Sequence, residues 1–237
     1  MIKQLFTFGG IDLTQWVYIT SVTRKVAPAR EFTQTTVQGR DGVYVSSSRL
    51  ESFDVEVQVM FKQREESTIE SARTQLATVL TKTGEQQLLL PYANGYYKAV
   101  YTGDADMSRL WQYPSATLAF TVTDPVAYGT QQTQTLTTSY KSITAGGTYR
   151  SYPTIQGTPA SGSYWKVFNN TTGEFVRVDA TFSGSQTVVI NMEQEFCTVS
   201  GAYTAVTLDS TYFSITGTQQ LRISSGSATI TWNERWL

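Results

Sequence analysis

Two pairs of acidic residues have the types and spacing that acid-base catalysis requires. Asp104 and Asp106 form one pair, and Glu193 and Glu195 form the other. Residues two positions apart on a β-strand point to the same face, so either pair could supply the two carboxylates of a glycosidase. The simpler interpretation is that both pairs are solvated acids in loops or at strand ends. We therefore predict that the chain is not an enzyme.

The sequence lacks the residues on which most other site chemistry depends. It contains no histidine and a single cysteine, Cys197. This composition excludes histidine-based triads, histidine zinc sites, iron–sulfur clusters and an intramolecular disulfide. We interpret Cys197 as a small buried strand residue. No phosphate-binding Gly-Lys-Ser/Thr loop is present, so we predict no metal and no cofactor.

Aromatic side chains offer one further possibility, which is sugar binding. The tyrosines at 92, 96, 97 and 101, or Tyr164 with Trp165, could stack on sugar rings. Aromatic residues on strands more often pack in the core or against a neighbouring strand. A carbohydrate-binding protein of two β-sandwiches therefore remains the alternative to a purely structural role.

Charge and hydropathy argue against two classes of partner. The 18 basic and 19 acidic residues leave a net charge of -1, without the basic excess that nucleic-acid binding requires. No apolar segment reaches the length of a membrane span, and the N-terminal residues do not form a signal peptide. We expect neither nucleic-acid nor membrane binding, and the near-neutral surface suits contacts with other proteins.

Residues 115–122 alternate between apolar and polar side chains, which predicts a half-buried strand. Asp124-Pro125 follows, and proline ends a strand because it donates no ladder hydrogen bond. Residues 130–139 then contain no charge and only one large apolar side chain, which is typical of a linker. We predict two domains, residues 1–133 and 134–237.

The first domain is predicted to be a β-sandwich with one helix. Strict alternation over residues 52–62 indicates a core strand. Residues 67–83 carry an apolar stripe at helical spacing, with Ser67 and Glu70 as a capping box. Strands 2–8, 15–23, 88–92 and 96–101 complete the domain, the last two joined through Asn94-Gly95.

The second domain shows no helical pattern. Short apolar runs at sandwich-like spacing predict a two-sheet β-sandwich. The predicted strands are residues 164–168, 174–178, 187–191, 212–216, 219–224 and 228–232.

Between these strand patterns, residues 24–42 form a long polar segment that we interpret as an arm or loop. Phe32 is an isolated large apolar residue within it. Long loops in compact domains are often functional, and a mobile connector is the alternative.

The order of four short motifs gives the sequence a specific resemblance. They are Asp124-Pro125-x-x-Tyr128 at a strand end, the turn Gly39-Arg40-Asp41-Gly42, Tyr152-Pro153 at the start of the second domain, and the closing residues 232–237, WNERWL. In this order and spacing the chain resembles the distal tail proteins of long-tailed bacteriophages. The resemblance extends over nearly the whole sequence.

This resemblance implies a structural protein of the virion, made in the host cytoplasm. Six copies would form a ring through their N-terminal domains, and galectin-like C-terminal domains would project outward. The implied partners are the tail tube protein, the tail-tip hub or fibre protein and, in some members, receptor-binding proteins. The chain has no long insertion of the kind that carries a carbohydrate-binding module in larger relatives. We assign Arg30, Phe32, Arg40 and Asp41 of the arm to the subunit interface.

The missing histidines and the single cysteine give a direct prediction about metals. Purified protein should contain no tightly bound transition metal, because the chain lacks the nitrogen and sulfur ligands that hold such ions. Elemental analysis that finds stoichiometric zinc or iron would contradict this prediction.

Overall fold

The structure is a computed structural model that describes residues 5–103, 108–110 and 113–237. It divides into two compact units, one that ends at Ala127 and one from Tyr128 to Trp236. The described residues are mainly β with one α-helix, which confirms the predicted fold class. No helix in these ranges combines the length and apolarity needed to cross a lipid bilayer.

The first unit consists of one curved antiparallel sheet, a separate hairpin and a helix. Its elements are β1 (Thr7–Phe8), β2 (Ile11–Asp12), a short 3-10 helix (Leu13–Gln15), β3 (Val17–Arg24), β4 (Arg30–Thr35), β5 (Tyr44–Leu50), β6 (Phe53–Phe61), α1 (Glu66–Leu80), β7 (Gln86–Leu89), β8 (Tyr96–Tyr101), β9 (Ser108–Leu110) and β10 (Tyr113–Val122). The sheet order is β2-β1-β7-β8-β10-β6-β3, with β9 beside β10 and with β4 and β5 paired only to each other.

The predicted core strand lies at the centre of this unit. All five inward side chains of β6, from Phe53 to Phe61, are buried. β10 pairs with β6 in register, with Phe120 opposite Val55. The rings of Phe8 on β1 and Phe120 on β10 are 5.2 Å apart, although β7 and β8 lie between these strands. Because neighbouring strands are about 4.8 Å apart, the sheet must curve around a common core.

The helix buries the predicted stripe, which consists of Ile69, Ala72, Leu76, Val79 and Leu80. The helix begins at Glu66, one residue before the predicted start, but the predicted capping box is wrong, because the N-cap residue is Glu65 and no side chain caps the helix. Glu70 forms an ion pair with Arg73, one turn further on, and so does not complete the predicted box with Ser67.

The second unit is a helix-free sandwich. Its strands are β11 (Ala127–Leu136), which begins at the boundary, β12 (Lys141–Ala145), β13 (Thr154–Thr158), β14 (Gly162–Asn169), β15 (Phe175–Phe182), β16 (Val188–Asn191), β17 (Phe196–Val199), β18 (Ala202–Tyr203), β19 (Gly217–Ile223) and β20 (Ser227–Trp236). One sheet has the order β18-β17-β16-β13-β20-β11 and the other β12-β19-β14-β15. Their apolar faces enclose a single core around the fully buried Trp165.

Two predictions for this region are wrong. Residues 130–139 are not a linker, because β11 continues to Leu136, whose side chain is fully buried. Uncharged Thr and Gln suit an exposed strand as well as a linker. Residues 212–216 are not a strand: Phe213 and Ile215 are buried, but the segment forms only an isolated bridge between Ile215 and Ser151.

The last strand carries a buried charge that joins distant parts of the second unit. The guanidinium of Arg235 forms an ion pair with Glu193 and donates to the Tyr128 hydroxyl at 3.2 Å. It also lies 4.8 Å from the ring centroid of Tyr128 and 5.4 Å from that of Tyr152. We call these four residues the Arg235 cluster. It contains one residue from each of three of the four motifs, Tyr128, Tyr152 and Arg235, so these three motifs have a structural role.

The backbone of Arg235 is equally constrained. Its carbonyl oxygen accepts hydrogen bonds from the amides of Thr148 and Tyr149, both at 3.0 Å. Gly147 precedes these residues with a φ of +93°, and a Cβ there would lie 2.1 Å from the same oxygen. Only glycine therefore fits at this position.

Substitution of Gly147 by alanine should destabilise the second unit strongly. Gly173, with a φ of +80° and no heavy atom within 4 Å of an added Cβ, is the matched control. Both variants lose about 1–2 kcal/mol through the left-handed conformation, but Gly147→Ala also displaces the Arg235 backbone. We expect Gly147→Ala to cost at least about 2 kcal/mol more in denaturant unfolding followed by circular dichroism. Equal losses of unfolding free energy in the two variants would show that the close approach of Gly147 to the Arg235 carbonyl does not contribute to stability.

Cys197 is buried on β17, as predicted, and burial raises the pKa of its thiol to about 11. At pH 8 only about a thousandth of the thiol is therefore ionised, against roughly a quarter for an unperturbed cysteine. A thiol-reactive dye should label native protein very slowly at pH 8 and label unfolded protein fully. Rapid stoichiometric labelling of the native protein would contradict this expectation.

Candidate functional site

The predicted arm is a β-hairpin and not a loop. β4 and β5 form a two-stranded sheet of their own, and every residue from 30 to 49 is exposed. Sequence reasoning missed β5, because Ser46-Ser47-Ser48 has no apolar alternation to indicate a strand. We refer to residues 30–50 as the hairpin arm.

Local interactions explain why these residues pair. The Glu31 and Arg49 side chains form an ion pair across the strands, and the Ser47 hydroxyl donates to the Thr33 hydroxyl at 3.0 Å. At the base, the amide of Glu51 donates to the carbonyl of Ala29 at 2.9 Å. The register shifts between Thr33 and Gln34, which indicates a β-bulge.

The tip of the hairpin arm depends on two glycines. Gly39 and Gly42 have φ values of +81° and +86°. They enclose Arg40 and Asp41, and the Arg40 amide donates to the carbonyl of Val37 at 3.2 Å. The left-handed backbone at both glycines lets the chain reverse here at little steric cost.

The four predicted interface residues lie on the hairpin arm but do not form one cluster. Arg30 and Phe32 are two positions apart on β4, so they share a face, and they lie opposite Leu50 and Ser48. Arg40 and Asp41 are at the tip, beyond the end of β4. The structure therefore separates a strand pair from a charged tip.

Further exposed apolar side chains flank the tip, and sequence reasoning did not identify them. Tyr44 is 59% exposed, against 47% for the predicted Phe32. Val37, Val43 and Val45 are exposed to a similar extent. The run Val43-Tyr44-Val45, directly after the turn glycine Gly42, is the sequence feature that could have predicted a second strand with exposed apolar side chains. A two-stranded ribbon has no core of its own, so this apolar surface is available to a partner.

The candidate catalytic acids do not form a site among the described residues. The carboxylate of Glu193 is paired with Arg235, and Glu195 lies in an exposed turn with a φ of +53°. Both acids lie in the turn between β16 and β17, which agrees with the simpler interpretation of loop or strand-end acids. Asp104 and Asp106 lie outside the described residues.

Of the six candidate sugar-stacking aromatics only Trp165 is fully buried; Tyr96, Tyr97 and Tyr101 are partly buried, and Tyr92 and Tyr164 are exposed. Tyr97 packs edge-on against Phe53 at 5.9 Å, and Tyr101 packs against Phe120 at 5.6 Å. Trp165 is fully buried, and its indole NH donates to the Ser225 carbonyl at 3.0 Å. Packing against Phe53 and Phe120 uses part of the Tyr97 and Tyr101 rings, and the guanidinium of Arg177 lies 4.7 Å from the ring centroid of Tyr164.

Two family profiles match the sequence. Residues 11–122 match the phage tail protein RIFT-related domain, and residues 146–236 match the C-terminal domain of the siphovirus-type tail component SPP1_Dit. Together the two profiles leave only the N-terminus, residues 123–145 and the last residue unmatched. No curated protein matches the chain.

Solved structures show the same fold. The crystal structure of the SPP1 Dit (gp 19.1) protein, described as a paradigm of the hub adsorption apparatus in phages that infect Gram-positive bacteria, superposes with a TM-score of 0.81 and 19% identity over 98% of this chain and 99% of that one. A chain of the phage P2 baseplate in its activated conformation with Ca superposes with a TM-score of 0.51 and 8% identity, over 99% and 98% of the two chains. The corresponding structure with Sr gives 0.51 and 9%, over 98% and 97%.

The two profiles match adjacent domains in the expected order, and the fold agrees over nearly the whole length of both chains. Neither the comparisons nor the site geometry supports the carbohydrate-binding alternative. The chain belongs to the distal tail protein (Dit) family of long-tailed bacteriophages and is a structural component of the phage tail tip.

Proposed function

We propose that six copies of this chain form a ring at the distal end of the tail tube, and that each hairpin arm contacts the next subunit. The observation that carries the proposal is the hairpin arm itself. An isolated two-stranded ribbon is marginally stable in water, and this one exposes Phe32, Tyr44 and three valines. A neighbouring subunit would cover this surface.

A closed ring requires a second, different patch on each subunit, because cyclic contacts are head to tail. The first unit offers one. Strand β3 is at the end of the described sheet order, so one of its edges is unpaired there. Beside it lies a groove of about 340 Å³ whose lining includes Ile19, Val22, Leu90 and Tyr92. An unpaired edge and an adjacent groove suit an incoming strand and its side chains.

The two domains would have different binding partners. The first unit, which ends at Ala127 and not at the predicted residue 133, would form the ring and contact the tail tube protein. The second unit would project outward and meet the tail-tip hub or fibre protein, or a receptor-binding protein. The helix-free sandwich of the second unit offers nothing like the hairpin arm, which supports this assignment.

The proposed role needs no catalysis, cofactor or nucleic acid. Subunits made in the host cytoplasm would be incorporated into the virion as structural parts. The pairing of Glu193 with Arg235 supports a non-enzymatic role, because it uses a candidate catalytic carboxylate for structure.

Replacing Phe32 by aspartate should convert the assembled species to monomers. Burying a phenylalanine contributes about 1.5–3 kcal/mol, and an unpaired buried carboxylate would oppose assembly further. Leu208→Asp is the matched control, because Leu208 is a fully exposed residue of the second unit that gains the same charge. Light scattering should give the mass, and circular dichroism should be unchanged in both variants.

Negative-stain electron microscopy of the wild type tests the ring directly. Six-fold rings that disappear in Phe32→Asp and persist in Leu208→Asp are the expected result. Rings that persist in Phe32→Asp would remove the hairpin arm from the interface.

A further inference from the structure

The outer face of the sheet β12-β19-β14-β15 has an unusual composition. Along β14, Trp165 and Val167 point into the core, so Lys166 and Phe168 point outward. Arg222 of β19 lies directly opposite Phe168 and shares this face. The outward side chains are therefore cations and aromatic rings in alternation, and we call this surface the cation–aromatic face.

Each cation of this face lies over a ring. The guanidinium of Arg222 is 4.9 Å from the ring centroid of Tyr140 and 4.3 Å from that of Phe168. The ammonium of Lys166 is 4.7 Å from the centroid of Phe168 and 3.1 Å from that of Phe175. Stacking on aromatic faces holds both cationic groups in place without neutralising them.

The charges of this face are only partly compensated. Arg177 forms an ion pair with Asp179. Among the described residues, Lys166 and Arg222 have no carboxylate within ion-pair distance, and the Nε of Arg222 is buried without a hydrogen-bond partner. Asp209 forms no ion pair with Lys166; a hydrogen bond from Thr207 is the largest cause that lowers the pKa of Asp209, and the charges of Lys166 and Arg177 contribute less.

The arrangement selects the chemistry of a ligand. Cations cover faces of Phe168 and Phe175, so these rings are poorly suited to stack on a neutral sugar. The groups that lack partners are N–H donors with positive charge, and such donors bind anions. Lys166 and Arg222 are diagonal neighbours on paired strands, a relation that spaces Cα atoms by about 7–8 Å. Carboxylates on alternate residues of an extended peptide repeat at about 7 Å, which matches this spacing.

We propose that the cation–aromatic face binds an extended segment of another protein that carries carboxylates at alternate positions. Lys166 and Arg222 each take one carboxylate. The inference does not depend on ring formation, because every residue involved belongs to the second unit.

The test uses the full-length chain and a fluorescent peptide of alternating Thr and Glu, with the Thr–Gln peptide as the neutral comparison. Anisotropy at low ionic strength should show binding of the Thr–Glu peptide only, and binding should weaken as salt is added. Arg222→Gln and Lys166→Gln should each weaken binding about tenfold, because each removes one charge-assisted contact. Both variants should retain the circular dichroism spectrum of the wild type.

Arg150→Gln is the matched control. Arg150 also lies over tyrosine rings, 5.6 Å from Tyr149 and 5.7 Å from Tyr152, but in the segment between β12 and β13. Binding should be unchanged in this variant. The proposal is overturned by absence of binding, by an equal loss in Arg150→Gln, or by tighter binding of long-chain polyphosphate than of the peptide. If Arg222→Gln fails to fold, the Lys166→Gln result decides.

Discussion

A guanidinium that is removed from water must find partners within the protein, and the second unit is organised around that requirement. Arg235 obtains a carboxylate from Glu193, a hydroxyl and a ring from Tyr128, and a second ring from Tyr152. Loss of any partner would leave a buried charge only partly compensated, which is costly. The chain end, the start of β11 and two loops are thereby fixed relative to each other.

The hairpin arm differs from the Arg235 cluster, because its apolar side chains lack burial partners within the described part of its own unit. Its two strands pair with each other and Glu31 pairs with Arg49, but its apolar side chains are exposed. The Arg235 cluster is complete within one chain, whereas the exposed apolar side chains of the hairpin arm would be covered by a neighbouring subunit in the proposed ring. A closed sandwich and an open arm in one chain suit a protein whose role is to connect others.

The sequence predicted those elements whose signal is local. The alternation in β6 and the apolar stripe of α1 each reflect burial on one face, so both were recognised. The strand β11 and the role of Glu193 were missed because each depends on a distant partner. Composition could not distinguish a Thr- and Gln-rich strand from a linker, and spacing could not show that Arg235 would take the Glu193 carboxylate. The arm was recognised as exposed, but its pairing was not.

The bulge between Thr33 and Gln34 affects how the edges of the hairpin arm can pair with other strands. A flat two-stranded ribbon with apolar side chains would template the addition of further strands from any copy it met. The bulge increases the local twist and interrupts the ladder, and Arg30, Glu31 and Arg49 place charges on the same ribbon. These features oppose indiscriminate edge-to-edge aggregation through the exposed ribbon.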